Sequence, residues 1–174
     1  PDVLALMEQG LAPLNALDKV LTRNGYSQYR QITAIDHLGQ TAHFSGAQTL
    51  GNHNAVSGEQ CVAAGNMLAD SAVIEAMVEA FEHSEGQLAD RLLAAMKAAI
   101  AAGGEAGPVH SAAMVVVGEL TWPIINLRVD WADENPIGQL EKLWDAYRPQ
   151  VQDYIDRALA PDKSPGYGVA GDDR

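Results

Sequence analysis

The chain of 174 residues has one cysteine, few basic residues and no long apolar run. The single cysteine, Cys61, excludes a disulfide within the chain, which fits a reducing compartment. The net charge of −12, from 11 basic and 23 acidic residues, argues against nucleic acid or an anionic membrane surface as a partner. Because no apolar run could span a membrane and no basic-then-apolar leader opens the chain, we expect a cytoplasmic protein without membrane association.

The sequence also lacks the usual signatures of metal and phosphate sites. Its five histidines show no HxH, HExxH or cysteine-paired spacing. The glycine-rich stretch 103–108 has neither the Lys nor the Ser/Thr of a P-loop, and it is predicted to end a helix rather than to begin one. We therefore expect no metal and no other cofactor.

Hydrophobic periodicity predicts a single domain over residues 1–160 and an irregular tail over residues 161–174. The predicted order is two helices, three strands, two helices, two strands and one helix. The stretch 46–58 is predicted to be a loop, and the five predicted strands cover 29–36, 41–45, 61–66, 111–118 and 124–130. Strand groups separated by a helix pair predict a sandwich in which helices cover sheets.

Local signals refine three of these elements. The continuous apolar run within 111–118 predicts a strand that is buried on both faces. The stretch 84–87 matches a capping box that opens a helix. The last helix is predicted to start at Asn135 and to break or kink at Pro149.

The most informative stretch is 62–70, in which a short strand of small residues leads into a helix. Asn66 stands at the end of that predicted strand, and Asp70 or Ser71 is placed to cap the helix. Polar residues at strand ends of mixed folds commonly contact ligands. Asn66 is therefore the first candidate site residue.

His43 and Ser45 are a second candidate pair, because side chains two positions apart share one face of a strand. A histidine and a serine on one face are typical of a base and its nucleophile. Their backbone positions are about 7 Å apart, however, so the side chains meet only in favourable rotamers. The two residues either form a self-contained dyad or line a pocket.

Arg128 and Asp130 share a face of the predicted strand 124–130. Either the two side chains pair with each other, or the guanidinium binds a substrate carboxylate. Ser111, at the start of the strand before, either lines a site or is an ordinary strand-start hydroxyl. These residues alone contain no complete catalytic constellation.

From Tyr29 onward the chain resembles domain-of-unknown-function family 1028 over nearly its whole length. Gly-Asn-Met-Leu at 65–68 and Leu-Arg-Val-Asp at 127–130 are the most telling matches. Further matches, in chain order, are Tyr29-Arg30-Gln31, His43-Phe44-Ser45-Gly46, residues 88–95, Ser111-Ala112-Ala113 and Pro136-Ile137.

The resemblance implies an α+β fold, the four-layer αββα sandwich of the N-terminal-nucleophile (Ntn) hydrolases. In that superfamily a Thr, Ser or Cys at the mature N-terminus attacks an amide, and its own α-amine accepts the proton. Backbone N–H groups or an Asn side chain stabilise the oxyanion. Members of the family usually begin with further strands ahead of the first helix, and we expect those strands and the nucleophile to be missing from this chain.

The predicted function is hydrolysis of a non-peptide C–N amide bond in a small amino-acid-like metabolite, with the nucleophile outside this chain. The predicted catalytic residues are Asn66, His43 and Ser45, and the predicted substrate-binding residues are Arg128, Asp130, Arg30 and Ser111. The alternative is a non-catalytic ligand-binding or assembly module with the same fold. A third alternative is a tautomerase in which the amine of Pro1 is the base. We expect a homo-oligomer, with a separate N-terminal fragment as one source of the missing strands.

Overall fold

The computed structural model describes residues 2–171, so the tautomerase alternative at Pro1 and the end of the predicted tail lie outside the described residues. The chain forms two compact units, Pro1–Pro108 and Val109–Arg174. The single domain over residues 1–160 stays a prediction, and each unit is considered by itself below.

The first unit combines four helices with two antiparallel hairpins. Its elements are α1 Asp2–Glu8, α2 Pro13–Arg23, β1 Gln31–Ile35, β2 Thr41–Ser45, β3 Asn52–Gly58, β4 Cys61–Leu68, α3 Ala72–His83 and α4 Leu88–Ala101. Helix α2 packs on the β1–β2 hairpin, while α3 packs on the β3–β4 hairpin and on α4. Leu68, Val73, Ile74 and Ala99 form a buried cluster beneath β3–β4.

The second unit is a hairpin followed by two helices. Its elements are β5 Ala112–Val116, β6 Ile125–Val129, α5 Pro136–Tyr147 and α6 Val151–Leu159. Helix α5 packs on β5 and β6. It buries Leu140 and Trp144, each no more than 2% exposed, because apolar residues at helical spacing line one side of this helix. Helices and small antiparallel sheets thus confirm a mixed α+β structure.

The predicted loop 46–58 is wrong in its second half, because β3 occupies Asn52–Gly58 and pairs with β4. The run Asn-His-Asn suggested a loop because asparagine is disfavoured in strands. Here the carboxamides of Asn52 and Asn54 donate to backbone carbonyls of the following segment, Asn52 to Leu68 and Asn54 to Ser71. These hydrogen bonds satisfy the polar side chains, so asparagine is accommodated in the strand.

The prediction that the apolar run 112–117 is buried on both faces is also wrong. Met114 and Val116 are buried, whereas Val115 is 53% and Val117 68% exposed. A two-stranded sheet covered by helix α5 has one covered face, so only alternate residues enter the core.

The ends of the helices follow the sequence closely, with one shift. Asn135 caps α5 by accepting a hydrogen bond from the Gly138 N–H at 2.9 Å, and the helical run breaks at a 3₁₀ turn that contains Pro149. The capping box of helix α4 lies three residues later than predicted, at 87–90 instead of 84–87. There the Gln87 N–H donates to the Asp90 carboxylate at 3.1 Å.

Among residues 2–171, no helix combines the length and the hydrophobicity that a membrane crossing requires.

Candidate functional site

Strand β4 carries a bulge at the predicted site. Asn54 pairs with Gly65 and Asn52 with Leu68, so one residue of β3 opposes two residues of β4. One of those two, Met67, has a φ of +52°, a left-handed conformation that a non-glycine residue rarely adopts. Bulges and left-handed non-glycine residues concentrate next to functional sites.

Backbone hydrogen bonds on both sides hold Met67 in this conformation. Its N–H donates to the Leu50 carbonyl at 3.0 Å, and its carbonyl accepts from the Ala106 N–H at 2.7 Å. Gly51, with a φ of +65°, lies beside it, and a methyl group at Gly51 would come within 3.0 Å of the Met67 Cα. The bulge is therefore fixed by neighbouring loops.

Asn66 precedes Met67 and faces away from helix α3. A methyl group at Gly65 would lie 2.9 Å from a Leu68 methyl carbon and 3.0 Å from an Ile74 methyl carbon, so Gly65 faces the core beneath α3. Successive residues of a strand face opposite sides, which turns Asn66 outward from this core. Asn66 is half-buried, and its carboxamide makes no hydrogen bond to any residue between 2 and 171.

His53, opposite the bulge on β3, is a residue that the sequence did not single out. The carboxamides of its neighbours Asn52 and Asn54 donate to the carbonyls of Ala69 and Ser71, just before α3. Because side chains alternate along a strand, His53 faces the opposite side, as Asn66 does. Its Nδ1 lies 3.1 Å from the Gly51 carbonyl oxygen. The alternation of Asn-His-Asn would have revealed this placement if the segment had been recognised as a strand.

Gln31 is the second residue that was missed, although it belongs to a motif of the resemblance. Its Nε2 lies 2.9 Å from Ser45 Oγ and 3.1 Å from the carbonyl oxygens of Asn54 and Gly65. The carboxamide thus ties the β1–β2 hairpin to the pair of residues that flanks the bulge. The Gly65 carbonyl belongs to the same peptide group as the Asn66 N–H, so this contact also orients the peptide before Asn66.

The two predicted residues of β2 differ in their surroundings. Ser45 is half-buried and bonded to Gln31 across the hairpin, whereas His43 is exposed and opposite Thr33. Within the described chain, the imidazole of His43 makes no hydrogen bond, to Ser45 or to another residue. The side chain of Arg30, just before β1, is exposed.

The other predicted residues belong to the second unit. Arg128 and Asp130 pair with each other, the Arg128 Nε donating to the Asp130 carboxylate at 2.7 Å, and their side chains are 69% and 72% exposed. This is one of the two interpretations open from the sequence. Ser111 is exposed just before β5.

Cys61, at the opposite end of β4 from the bulge, has an unreactive setting. Burial raises the pKa of its thiol above the ordinary value of 9.0, and the Glu82 carboxylate raises it further. No group of three or more His, Cys, Asp or Glu side chains in the described part of the chain is arranged to hold a metal ion.

The comparisons with known proteins agree with the resemblance. The family model of DUF1028, described as a family of unknown function, matches residues 1–140. The crystal structure of a DUF1028 protein from Silicibacter pomeroyi is similar with a TM-score of 0.80 and 37% sequence identity. That similarity covers 88% of this chain and 66% of the other, and no curated protein matches. The family match spans most of the chain, and the chain belongs to DUF1028, a family of unknown function.

Proposed function

We propose that this protein hydrolyses a non-peptide C–N amide bond in a small amino-acid-like metabolite, as an Ntn-type hydrolase. The observation that carries the proposal is the half-buried Asn66 carboxamide, which has no hydrogen-bond partner within residues 2–171 and stands beside a left-handed bulge. A polar group that the fold leaves without a partner in a strand bulge can bind a ligand.

An amide donor suits the chemistry of acyl transfer. When a nucleophile attacks an amide carbon, the carbonyl oxygen becomes an oxyanion, and a fixed N–H donor stabilises that charge. Asn66 Nδ2 would supply this donor. The Gln31 bonds and the bulge restrict the backbone that carries it, so little reorganisation accompanies the reaction.

The packing of the first unit supports the four-layer αββα sandwich as the finer fold. Helix α2 contacts β1–β2, the two hairpins contact each other, and α3 contacts β3–β4. That order matches the layers of the Ntn superfamily. Fold alone is weak support for an activity, so the assignment rests on Asn66.

The remaining roles follow the resemblance. The nucleophile would be a Thr, Ser or Cys outside this chain, which spans 66% of the length of the Silicibacter protein. Arg128 would bind a substrate carboxylate, with Asp130 fixing the plane of its guanidinium. In the first unit, His43 and Ser45 would line the pocket and Arg30 would bind substrate. In the second unit, Ser111 would bind substrate. A cytoplasmic location and a homodimer belong to the same proposal.

The alternative is a ligand-binding or assembly module without chemistry. It is favoured by the Arg128–Asp130 pair, in which the cation is already neutralised, and by the absence of a His43–Ser45 hydrogen bond within residues 2–171. Under this alternative, Asn66 binds a ligand that remains unchanged.

A direct assay separates the two functions. The full-length protein is incubated with a panel of small amides, among them glutamine, asparagine and amino-acid p-nitroanilides, and release of ammonia or p-nitroaniline is followed. The hydrolase proposal predicts turnover of at least one compound that is lost on Asn66→Ala. Binding of these compounds without turnover, detected by calorimetry, would establish the alternative.

A further inference from the structure

We propose that a cleft at the opposite end of β4 from the bulge binds a free α-amino acid, and that basic amino acids bind most tightly. The cleft lies in the first unit, between the β3–β4 turn, the end of α3 and the start of α4. Its volume is about 400 Å³, and its lining residues are Glu59, Gln60, Phe81, Glu82, Leu88 and Arg91. This inference is independent of the proposed amide hydrolysis, because the five strand residues from Cys61 to Asn66 separate the two places by about 16 Å.

Arg91 supplies the cation of the cleft and has an open donor edge. Its Nε and Nη2 donate to the Phe81 carbonyl oxygen at 3.4 and 3.1 Å, and its guanidinium carbon lies 4.0 Å from the centroid of the Phe81 ring. These contacts use one edge of the guanidinium and leave the N–H groups of Nη1 and the second N–H of Nη2 for a ligand. Arg91 makes no ion pair within residues 2–171, so its charge is not neutralised there. A guanidinium with such an edge binds a carboxylate through two parallel hydrogen bonds.

Glu82 supplies a fixed anion that borders the same cleft. Its Oε1 accepts a hydrogen bond from the Glu59 N–H at 2.6 Å. A methyl group at Gly58 would collide with that oxygen, so glycine at this position lets the carboxylate lie against the turn. Glu82 directly follows Phe81, whose carbonyl holds Arg91, yet the two charged groups form no ion pair in the described part of the chain. The Glu82 Oε2 is therefore available to an ammonium group.

Two opposite charges that are fixed but not paired with each other match a zwitterion. An α-amino acid has its carboxylate and its ammonium group on one carbon, so the carboxylate would bind Arg91 and the ammonium group would bind Glu82. Leu88, which is 46% exposed, offers an apolar surface to the aliphatic part of the side chain. With Glu59 the lining has two carboxylates and one guanidinium, so a second cation on the ligand is favoured. Because the protein already holds Arg91 and Glu82 in place, binding orders few further side chains.

The test begins with four probes that differ by one group. Calorimetry measures the Kd of the full-length protein for L-lysine, for cadaverine, which lacks the carboxylate, for 6-aminohexanoate, which lacks the α-ammonium group, and for L-norleucine, which lacks the side-chain cation. L-Lysine should bind most tightly. Cadaverine and 6-aminohexanoate should bind at least about 10-fold more weakly, because each leaves one charged partner in the cleft without its hydrogen bonds. L-Norleucine should lose a smaller factor.

Two variants assign each end of the ligand to its residue. Arg91→Gln should remove the difference in affinity between lysine and cadaverine. Glu82→Gln, which keeps an acceptor for the Glu59 N–H, should remove the difference between lysine and 6-aminohexanoate. Arg23→Gln and Glu79→Gln are the matched controls, since both residues are exposed and lie outside the cleft, and both should keep the wild-type ranking. If circular dichroism shows Arg91→Gln to be unfolded, the isosteric Glu82→Gln still decides the test.

The opposite results are equally clear. Equal affinities of the wild type for all four probes, or wild-type discrimination in Glu82→Gln, would overturn the amino-acid site. Absence of lysine binding up to about 10 mM would also overturn it and would leave the proposed hydrolysis standing. Lysine binding that is lost in Asn66→Ala but unchanged in Glu82→Gln would place the amino acid at the bulge and overturn the assignment to the cleft. A wild type that hydrolyses no amide but discriminates the probes as expected would contradict the proposed hydrolysis alone.

Discussion

The hairpins β3–β4 and β5–β6 are built alike but differ at the ends where polar residues were predicted to act. Each is antiparallel and has helices on one face. The register of β5–β6 is regular, and Arg128 and Asp130 at its end neutralise each other. The β3–β4 hairpin has a bulge with a left-handed Met67 beside Asn66, whose carboxamide makes no hydrogen bond within residues 2–171.

The two hairpins differ in whether their polar side chains already have hydrogen-bond partners in the protein. A charged pair that is mostly exposed is satisfied by itself and by water, so it adds little to stability. The half-buried Asn66 carboxamide makes no hydrogen bond within residues 2–171 and stands beside a left-handed residue, so it is available to a ligand. On this basis β3–β4, rather than β5–β6, carries the centre of the proposed site.

Removal of the Asn66 carboxamide should have the largest effect. Asn66→Ala should lower amide turnover by about 10²-fold or more, because the oxyanion loses its donor. Asn126→Ala is the matched control, since Asn126 is an exposed asparagine on the regular hairpin. It should leave turnover within a factor of about two. Circular dichroism should show both variants folded. Equal activities of the two variants would remove the distinction between the hairpins.

Gln31→Leu should be the most destabilising of the polar substitutions. It leaves the carbonyls of Asn54 and Gly65 without the Gln31 donor, at a cost of about 1–3 kcal/mol in the free energy of unfolding. Arg128→Leu should cost less than about 1 kcal/mol, because its ion pair is exposed. Urea unfolding measures both. A larger loss for Arg128→Leu would reverse the ranking of the two regions.

Glycine should have opposite effects on the two hairpins. Met67→Gly should be about 1 kcal/mol more stable than Met67→Ala, because only glycine adopts a φ of +52° without strain. On the regular strand β5, Ala113→Gly should lower stability by about 0.5–1 kcal/mol, since glycine there only adds unfolded-state entropy. Thermal unfolding of the three variants measures these differences. If glycine changed the stability relative to alanine in the same direction at both positions, the bulge would not be strained.

The far end of β4 should show the smallest effect. Because the pKa of Cys61 is raised above 9.0, its thiol stays protonated near neutral pH and should react slowly with iodoacetamide. Glu82→Gln removes the negative charge that contributes to the shift. The pKa should fall part of the way toward 9.0, since burial still raises it, and alkylation at pH 8 should accelerate. Glu79→Gln, on the same helix, is the control and should leave the rate unchanged, as judged by mass spectrometry.

Most of the secondary structure could be predicted because it depends on local chemistry. Apolar spacing located the helices, Asn135 supplied a real cap, and Pro149 broke the last helical run. Strand β3 could not be predicted, since its asparagines look unfavourable until their partners beyond β4 are known. The exposed face of β5 depends likewise on what packs against it.

The candidate site was predicted only in part, for the same reason. The sequence singled out Asn66 as the end of a strand, but β4 continues to Leu68, and Asn66 lies in the bulge within it. The hydrogen bonds of Gln31 join residues 14 to 34 positions apart, and the placement of His53 depends on a bulge in the partner strand. Whether Arg128 would pair with Asp130 was likewise a question of rotamers that the sequence left open.

The most direct test of amide hydrolysis is intact-mass spectrometry of the full-length protein, quenched in acid during turnover of a p-nitroanilide. The account predicts a protein mass increased by that of the acyl group, located by peptide mapping on a Thr, Ser or Cys. It also predicts that Asn66→Ala greatly slows formation of the adduct. A protein that shows neither an adduct nor release of p-nitroaniline, yet binds the amide, would contradict the hydrolase account and identify a binding module.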